Sequence, residues 1–415
     1  MKMFLPFRFI IIIIFTTLLF LSNNAGAISD SIFIDGDFQD WNATTLSYTD
    51  TTGDGGSSKI DFGKIWIANS QEKLFVRFEI GQERIIQSNS NIKLYIDSDN
   101  SLITGFNING IGADIVWDFS NRSGTLYHSG SQESIIWNRL SLISAPTFSG
   151  NEFEISISRL SVFNDGSPIF ANNNIRIVLK SFEGSYDLAP NSGSFIIYQF
   201  DTTSLPPYPH IPLAKKNNSH IRILTWNVLA DGLFSRTQNF SRILKAINPQ
   251  ILNFQEIYNH TASEAANLIT TILPVGQGEQ WYSAKGTIDI ITLSRFPITQ
   301  QVTIDGNLAV LIDLPDGQFA DKILIINAHL PCCSNEVERQ AEADNIMSFI
   351  RKSKLQTGGI PISQNTPILV LGDLNLVGEA RQIKTLLTGD ILNEGTYGPD
   401  FQPDWDLSSL TALTP

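Results

Sequence analysis

The chain has 415 residues and a formal net charge of −13, with 42% hydrophobic and 17% charged residues. This composition excludes wholesale disorder, and the length suggests two or three domains. Residues 28–205 carry 11 basic and 21 acidic residues, and residues 206–415 carry 15 and 20. Neither half has the basic surplus typical of tight, sequence-independent binding to a phosphate backbone, which weakens but does not exclude nucleic acid as a partner.

The first 27 residues predict a secretory signal peptide. The basic residues Lys2 and Arg8 precede an apolar run over residues 9–21. After this run, Ala25-Gly26-Ala27 has the small residues of a cleavage site. The run is shorter than the roughly 20 residues that a spanning helix needs, which disfavours the alternative of a membrane anchor. We therefore expect a secreted protein, extracellular or periplasmic, that starts at Ile28 and has no stable membrane span after cleavage.

Residues 28–200 predict an all-β sandwich. Short runs alternate apolar and polar residues with period two, as half-buried antiparallel strands do, and turn-rich stretches such as residues 50–58 separate them. The predicted strands are Leu74–Ile80, Ile92–Ile96, Phe153–Ile157, Ile175–Leu179 and Ser194–Tyr198. Residues 201–219 then contain four prolines followed by Lys and Asn, which predicts an extended linker.

Residues 220–415 alternate predicted strands with helices, which indicates a mixed α/β domain. The longest predicted helix presents Ala343, Ile346, Met347 and Ile350 on one face and charges on the other. The predicted strands are Ile221–Leu229, Ile251–Phe254, Ile288–Leu293, Leu308–Leu314, Lys322–Ala328 and Pro367–Leu371, and the predicted helices are Thr237–Ile247, Ala262–Ile272 and Glu336–Lys352.

Polar side chains follow four of these apolar strands. They are Asn227, Glu256, His329, and the pair Asp373 and Asn375. Each alone has an ordinary structural explanation, as a turn, a surface carboxylate or a hydrogen-bonded His. Strand ends are nevertheless where clefts form in layered α/β domains, so the set predicts one polar site.

These residue types suit the hydrolysis of a phosphate ester. Glu256 is a hard oxygen ligand for Mg²⁺, and Asn227 could ligate through its amide oxygen or orient Glu256. Asp373 can accept a proton from water, and Asn375 can donate to a phosphate oxygen. His329 can donate to the phosphate or protonate a leaving group near neutral pH.

The successive motifs resemble those of the endonuclease/exonuclease/phosphatase superfamily, which contains DNase I-like nucleases, sphingomyelinases and inositol phosphatases. They are Thr225-Trp226-Asn227-Val228, Gln255-Glu256, Leu293-Ser294-Arg295-Phe296-Pro297, Asn327-Ala328-His329-Leu330 and Gly372-Asp373-Leu374-Asn375. The resemblance implies a four-layer, DNase I-like α/β sandwich. It also implies Glu256 and Asn227 at a Mg²⁺ or Mn²⁺ ion, Asp373 and Asn375 at the attacking water and phosphate, and His329 near the phosphate.

The family pattern closes with a last strand that carries an Asp-His pair, and this chain has no His beyond His329. We expect either a fragment that lacks the last strand or strands, which we favour, or a degenerate relative whose activity is in doubt.

The N-terminal region is similar to family 9 carbohydrate-binding modules through Ile34–Trp41, Tyr95–Asn100 and Gly112-Ala113-Asp114. Asp97, Asp99 and Asn100 could bind Ca²⁺ or form a plain turn. Trp41, Trp66 and Trp117 are candidates for a glycan-binding face, although core packing is the favoured use of each.

The leading hypothesis is a secreted, divalent-metal-dependent nuclease, because the Asn-Ala-His-Leu context of His329 resembles the DNase-like branch. One alternative is a phosphodiesterase acting on lipid or small phosphate esters, which the acidic charge favours. The other is a catalytically incomplete protein that binds a surface or a glycan.

The two cysteines, Cys332 and Cys333, are adjacent, which excludes a disulfide framework. Partly buried thiols are favoured over a vicinal disulfide.

Overall fold

The computed structural model describes residues 31–56, 60–88, 90–201, 212–217, 219–315 and 322–412. The predicted signal peptide and most of the predicted linker lie outside these residues. We refer to residues 31–201 as the N-terminal sandwich and to residues 212–412 as the C-terminal domain. Among the described residues, no helix is both long enough and apolar enough to cross a membrane.

The N-terminal sandwich consists of strands and two short 3₁₀ helices, at Phe38–Ala43 and Trp137–Arg139. The strands are β1 (Leu46–Thr49), β2 (Lys64–Asn69), β3 (Lys73–Arg84), β4 (Ile92–Asp97), β5 (Phe106–Ile108), β6 (Ile111–Ala113), β7 (Ile115–Asp118), β8 (Ser123–His128), β9 (Ser131–Ile136), β10 (Ile143–Ala145), β11 (Gly150–Ser158), β12 (Asn174–Ser181), β13 (Leu188–Ala189) and β14 (Ile196–Gln199).

Two antiparallel sheets face each other across one core. The first has the order β1-β2-β3-β11-β10, and the second has the order β13-β12-β4-β7-β8-β9, with β14 also paired to β12. Alternate residues of β3 (Leu74, Val76, Phe78 and Ile80) enter this core, as the period-two pattern predicts. The all-β sandwich expected from the sequence is confirmed.

Two of the three tryptophans considered for a glycan-binding face belong to the interior. Trp41 is 1% exposed and Trp117 is 2% exposed. The indole N–H of Trp41 donates to the buried Glu154 carboxylate at 2.7 Å. The guanidinium of Arg77 lies 4.2 Å from the centre of the Trp66 ring and covers one of its faces. Core packing is therefore the role of Trp41 and Trp117.

The C-terminal domain alternates strands and helices. Its elements are β15 (Ile223–Asn227), α1 (Gly232–Ser235), α2 (Thr237–Ile247), β16 (Ile251–Gln255), α3 (Ala262–Ile272), β17 (Tyr282–Lys285), β18 (Ile291–Ser294), β19 (Ile298–Ile304), β20 (Asn307–Asp313), β21 (Lys322–His329), α4 (Glu336–Leu355), β22 (Ile368–Asp373), α5 (Arg381–Thr388) and α6 (Glu394–Tyr397).

These elements form four layers. One sheet has the order β15-β16-β18-β17, and the other has the order β19-β20-β21-β22. Helices α2 and α3 pack on the first sheet, and α4 and α5 pack on the second. Leu308, Val310 and Ile312 of β20 point between the sheets, whereas Ala309 and Leu311 point toward α4. This explains the unbroken apolar run of β20, because both of its faces are covered.

Helices α2 and α3 have the bounds that the sequence predicts. The capping box of Thr261 and Glu264 begins α3, and Asn248 in a left-handed conformation, followed by Pro249, ends α2. Strands β17 and β19 were not predicted, because their mixed polar residues give no apolar run. Helix α5 was also missed.

Helix α4 differs from the prediction on its polar side. Ala343, Ile346, Met347 and Ile350 are buried as expected, but Arg339, Asp344 and Arg351 are buried too. The carboxylate of Asp344 accepts from the backbone N–H groups of Leu392 and Asn393, each at 3.0 Å. The charges of this face therefore bind loop backbone instead of facing water.

Cys332 and Cys333 lie in the loop between β21 and α4. Both are exposed and free, with their sulfur atoms 2.7 Å apart. They are thiols, as favoured from the sequence, but the expectation that they are partly buried is wrong.

A buried polar network joins the two sheets below their site-bearing ends. Gln255 Nε2 of β16 donates to Asn327 Oδ1 of β21 at 2.6 Å, and Asn327 Nδ2 donates to the Thr292 hydroxyl of β18 at 3.2 Å. The Thr292 hydroxyl donates in turn to Asn253 Oδ1 at 2.9 Å. All four side chains are fully buried, so each of these hydrogen bonds takes the place of a hydrogen bond to water in the unfolded chain. Because the bonds connect both sheets, they fix how the sheets align.

Replacing Asn327 with alanine should lower the free energy of unfolding by about 1–3 kcal/mol, because the amide of Gln255 loses a buried acceptor. Chemical denaturation of the full chain measures this change. Asn267→Ala, on the exposed surface of α3, is the control and should change stability by no more than about 0.5 kcal/mol. Equal stability of the two variants would show that the network contributes nothing.

Candidate active site

The polar residues predicted to form a site lie at one end of both sheets of the C-terminal domain. Strands β15 and β16 are parallel, with Asn227 opposite Gln255, so Glu256 follows at the same edge. Strands β21 and β22 are also parallel, with His329 opposite Asp373. The structure therefore brings together the residues that the sequence placed at separate strand ends.

Asn227 connects the two sheets at this end. Its Nδ2 donates to Glu256 Oε1 at 2.8 Å and to Asp373 Oδ2 at 2.9 Å. Its Oδ1 accepts from the backbone N–H of Leu229 at 2.9 Å, which fixes the orientation of the amide. Asn227 therefore orients Glu256 in this geometry, and its predicted contact with a metal stays a prediction.

Left-handed backbone conformations occur both at Glu256 and in the loop that binds its carboxylate. Its other oxygen, Oε2, accepts from the backbone N–H of Ala230 at 2.8 Å. Leu229, Ala230 and Asp231 all have positive φ, as does Glu256 itself (+63°). Left-handed conformations of non-glycine residues cost about 1–3 kcal/mol each and concentrate at functional sites. Here they turn a backbone N–H toward the carboxylate.

His329 forms a short pair with Asp289, a residue that the sequence did not single out. Nδ1 of His329 lies 2.6 Å from Asp289 Oδ2, and Nε2 lies 3.8 Å from Asp373 Oδ2. The hydrogen bond with Asp289 raises the pKa of His329, against the opposing effect of burial. With Nδ1–H directed at Asp289, Nε2 faces Asp373 and the rest of the site.

Asp373 is the last residue of β22, Asn375 follows it two residues later, and the strand reaches Asp373 through a backbone conformation at Gly372 that favours glycine. Gly372 has φ +139°, and a Cβ there would lie 1.8 Å from the carbonyl oxygen of Ala328, so no larger residue fits. Oδ1 of Asp373 accepts from the Asn375 N–H at 3.3 Å, and Asn375 Nδ2 donates to the Leu330 carbonyl at 2.8 Å. One of the two N–H donors of the Asn375 amide is thus already engaged.

Asp289 and Asn307 were missed because they lie at the beginning of a strand and not at its end: Asp289 precedes β18, and Asn307 is the first residue of β20. Strands β18 and β20 run antiparallel to β16 and β21, so their first residues lie at the same edge as the last residues of β16 and β21. Oδ1 of Asn307 accepts from the His329 N–H at 2.8 Å. Polar residues at the beginning of the two apolar strands, Asp289 and Asn307, were the available signal. The Leu293–Pro297 motif, in contrast, lies at the opposite end of β18.

The loop that follows Asn375 rests on the N-terminal sandwich. The Thr147 hydroxyl donates to the Leu376 carbonyl at 2.9 Å, and the Ser149 N–H donates to the Gly378 carbonyl at 2.6 Å. The Ser149 hydroxyl accepts from the Ala380 N–H at 2.9 Å. The sandwich therefore contacts the segment that carries one predicted site residue.

The donor set at this site fits a magnesium-type ion. Glu256 and Asp373 each accept a hydrogen bond from the same Asn227 nitrogen, so two carboxylates lie close to each other at this site. Mg²⁺ is commonly held by one or two carboxylates and retains several waters. Glu256, with Asn227 beside it, would hold such an ion.

Of the three residues predicted to bind calcium, Asp97 and Asp99 lie close together, and Asp114 joins them where Asn100 was expected. Carboxylate oxygens of Asp97, Asp99 and Asp114 lie within 4.8 Å of one another. Asn100 instead donates its Nδ2 to the Asn174 carbonyl at 2.7 Å. Asp97 is also 3.2 Å from Arg176. Calcium binding by Asp97, Asp99 and Asn100 stays a prediction.

The model of the Endonuclease/Exonuclease/phosphatase family matches residues 224–415, a range that contains every residue of this site. The C-terminal domain therefore resembles this family over nearly its whole length. The family is named for enzymes that cleave phosphate esters, and the domain's two sheets flanked by helices agree with the predicted DNase I-like architecture. No curated protein matches the chain.

Among solved structures, the chain is similar to a D. rerio TDP2 humanized by 14 mutations, with 15% identity over 40% of this chain and 67% of that one and a TM-score of 0.29. TDP2 from C. elegans is 19% identical over 38% and 48%, with a TM-score of 0.29. Sphingomyelinase C from Streptomyces griseocarneus is 18% identical over 37% and 64%, with a TM-score of 0.26. The chain spans about half to two thirds of these structures.

Asp289→Asn should lower the pKa of His329, because the carboxylate that stabilises the imidazolium is removed. The pair stabilises the fold fully below the unfolded His pKa of about 6.5, and this contribution is lost as the pH rises through the higher folded value. The stability difference between wild type and Asp289→Asn should therefore shrink as the pH rises. NMR titration of the His329 ring gives the pKa directly.

The control for this titration is Asp313→Asn, at the far end of β20 from Asn307. It should leave the His329 titration as in wild type. If Asp289→Asn also leaves it unchanged, the 2.6 Å pair does not control the imidazole.

Proposed function

We propose that the C-terminal domain is a divalent-metal-dependent phosphodiesterase, with nucleic acid as its first substrate class. The observation that carries this proposal is the convergence of Glu256, Asp373 and His329, with Asn227 bonded to both carboxylates. Phosphodiester hydrolysis needs a site for a cation, a proton acceptor for water and a proton donor, and this group of side chains contains candidates for all three.

Each residue has a distinct proposed role. A Mg²⁺ or Mn²⁺ ion beside Glu256 would supply neutralisation of the charge that develops on the phosphate. Asp373 accepts a proton from the attacking water, and Asn375 donates its remaining N–H to a non-bridging oxygen. His329, kept more readily protonated by Asp289, donates from Nε2 to the phosphate or to the leaving oxygen.

Nucleic acid is placed before other phosphodiesters because of the Asn-Ala-His-Leu context of His329. The acidic charge of the chain supports lipid or small phosphodiesters as the second substrate class. A protein of net charge −13 repels a polyanion such as nucleic acid more strongly than it repels a small phosphodiester. A metal ion at the site would reduce this repulsion locally. The substrate panel below separates the two classes.

The full chain should cleave plasmid DNA or RNA with Mg²⁺ or Mn²⁺ and lose this activity in EDTA. His329→Ala and Asn375→Ala should each lower the rate about 100-fold or more, because each removes a proposed donor. Glu256→Gln should raise the metal concentration needed for half-maximal rate. The same assays on sphingomyelin vesicles and bis(p-nitrophenyl) phosphate test the second substrate class.

The matched control is His128→Ala, since His128 pairs with Asp165 at 3.0 Å in the N-terminal sandwich, far in sequence from the site. Its activity should equal that of wild type. Folded protein that cleaves none of these substrates with either metal would overturn the proposal and favour the binding-protein alternative. Retention of the sandwich on a polysaccharide panel would support a glycan partner, and no retention would count against it.

We also propose that the protein is secreted, on the basis of the predicted signal peptide. The intact mass of the protein recovered outside the expressing cells should correspond to a chain that begins at Ile28, because the small residues before it favour cleavage there. Recovery of the protein only inside the cells, with residues 1–27 retained, would contradict export.

A further inference from the structure

A second acidic group lies in the N-terminal sandwich, outside the site described above. Carboxylate oxygens of Asp50, Asp54 and Asp187 lie within 4.8 Å of one another. Asp50 follows β1 and Asp187 precedes β13, so the group joins two loops that are far apart in sequence. Asp54 belongs to the Asp- and Gly-rich stretch that the sequence marked only as a turn.

Two of these carboxylates are buried. Asp50 is 4% exposed and Asp187 is 2% exposed, whereas Asp54 is exposed. Both oxygens of Asp187 accept backbone N–H groups, from Phe62 at 2.7 Å and from Leu188 at 2.8 Å. Burying carboxylates side by side is unfavourable unless a positive charge or a proton compensates.

One carboxylate oxygen of Asp50 finds no donor in the part of the chain that the structure describes. Its Oδ1 accepts from the Tyr48 hydroxyl at 3.1 Å, but its Oδ2 is buried and has no hydrogen-bond partner among the described residues. The charges that act most strongly on Asp50 and Asp187 are those of other aspartates, including Asp54. Burial and these charges raise the pKa of Asp50 to about 7 and raise the pKa of Asp187.

We propose that Asp50, Asp54 and Asp187 bind a calcium ion that joins the loop after β1 to the loop before β13. Calcium accepts several carboxylate oxygens in flexible geometry, completes its shell with carbonyls and water, and tolerates an exposed ligand such as Asp54. The unpartnered Oδ2 of Asp50 supplies a buried ligand atom. The Ser185 hydroxyl, which donates to the Gly55 carbonyl at 2.9 Å, already connects the same two loops.

The test uses the full chain, freed of metal with EDTA and titrated with CaCl₂ by isothermal titration calorimetry. Asp50→Asn and Asp54→Asn should each bind one Ca²⁺ fewer than wild type. In differential scanning calorimetry, a 100-fold excess of Ca²⁺ over its Kd should raise the wild-type transition by about 5–10 °C. The same excess of Ca²⁺ should raise the transition temperature of each variant less than that of wild type, because the variants lack this site. Asp54 is exposed, so its variant tests the site even if Asp50→Asn fails to fold.

A second probe, terbium luminescence, reports on the surroundings of Tyr48 through the effect of a Tyr48 substitution. Terbium at the site should emit under tyrosine excitation, because the Tyr48 hydroxyl touches a ligand carboxylate, and Tyr48→Phe should reduce this emission at least twofold without lowering the Ca²⁺ stoichiometry. Asp37→Asn, an exposed helix cap that Asn can replace, is the matched control and should behave as wild type.

If Asp54→Asn and Asp50→Asn bind as many Ca²⁺ ions as wild type, the proposal is overturned, and a proton, not a cation, compensates the buried carboxylates. Asp99→Asn separates this site from the predicted one at Asp97. It should leave the Tyr48-sensitised emission intact. Phosphodiesterase activity at saturating Mg²⁺ should be the same in Asp54→Asn and wild type, so the two proposals fail independently.

Discussion

The amide of Asn227 is the interaction on which the geometry of the site depends. One nitrogen donates to Glu256 of the first sheet and to Asp373 of the second, so two like charges are held close by a neutral group. Directly below, Gln255 and Asn327 join the same two sheets in the interior. Buried amides are costly when unpaired, so this arrangement favours one alignment of the sheets, and that alignment places the carboxylates.

The electrostatics of the site follow from the same constraint. His329 lies between Asp289 and Asp373, at 2.6 and 3.8 Å, and the two carboxylates favour its protonated form. The left-handed backbone at Leu229, Ala230 and Asp231 turns one N–H to Glu256. These backbone conformations lower the stability of the fold but fix a group of charged side chains in place. Such an arrangement is typical of a site that acts on a ligand.

The N-terminal sandwich is more than a neighbouring unit, because Thr147 and Ser149 bind the loop that follows Asn375. These hydrogen bonds hold the loop after Asn375 against the sandwich. The acidic group at Asp50 is one place where the stability of the sandwich could depend on an ion. The two domains would then need divalent cations for different reasons, chemistry in one and charge compensation in the other.

The sequence by itself determined the fold class, the bounds of α2 and α3, and the strand-end positions of the candidate site residues Asn227, Glu256, His329 and Asp373. Apolar periodicity, helix caps and polar residues after parallel strands are local signals, so they can be read along the chain. Only the tertiary structure decided the partners of these residues. Asp289 and Asn307 lie at the beginning of antiparallel strands, and which end of a strand meets a site is fixed by pairing, not by local sequence. Asp50 meets Asp187 for the same reason, since burial between distant loops leaves no local pattern.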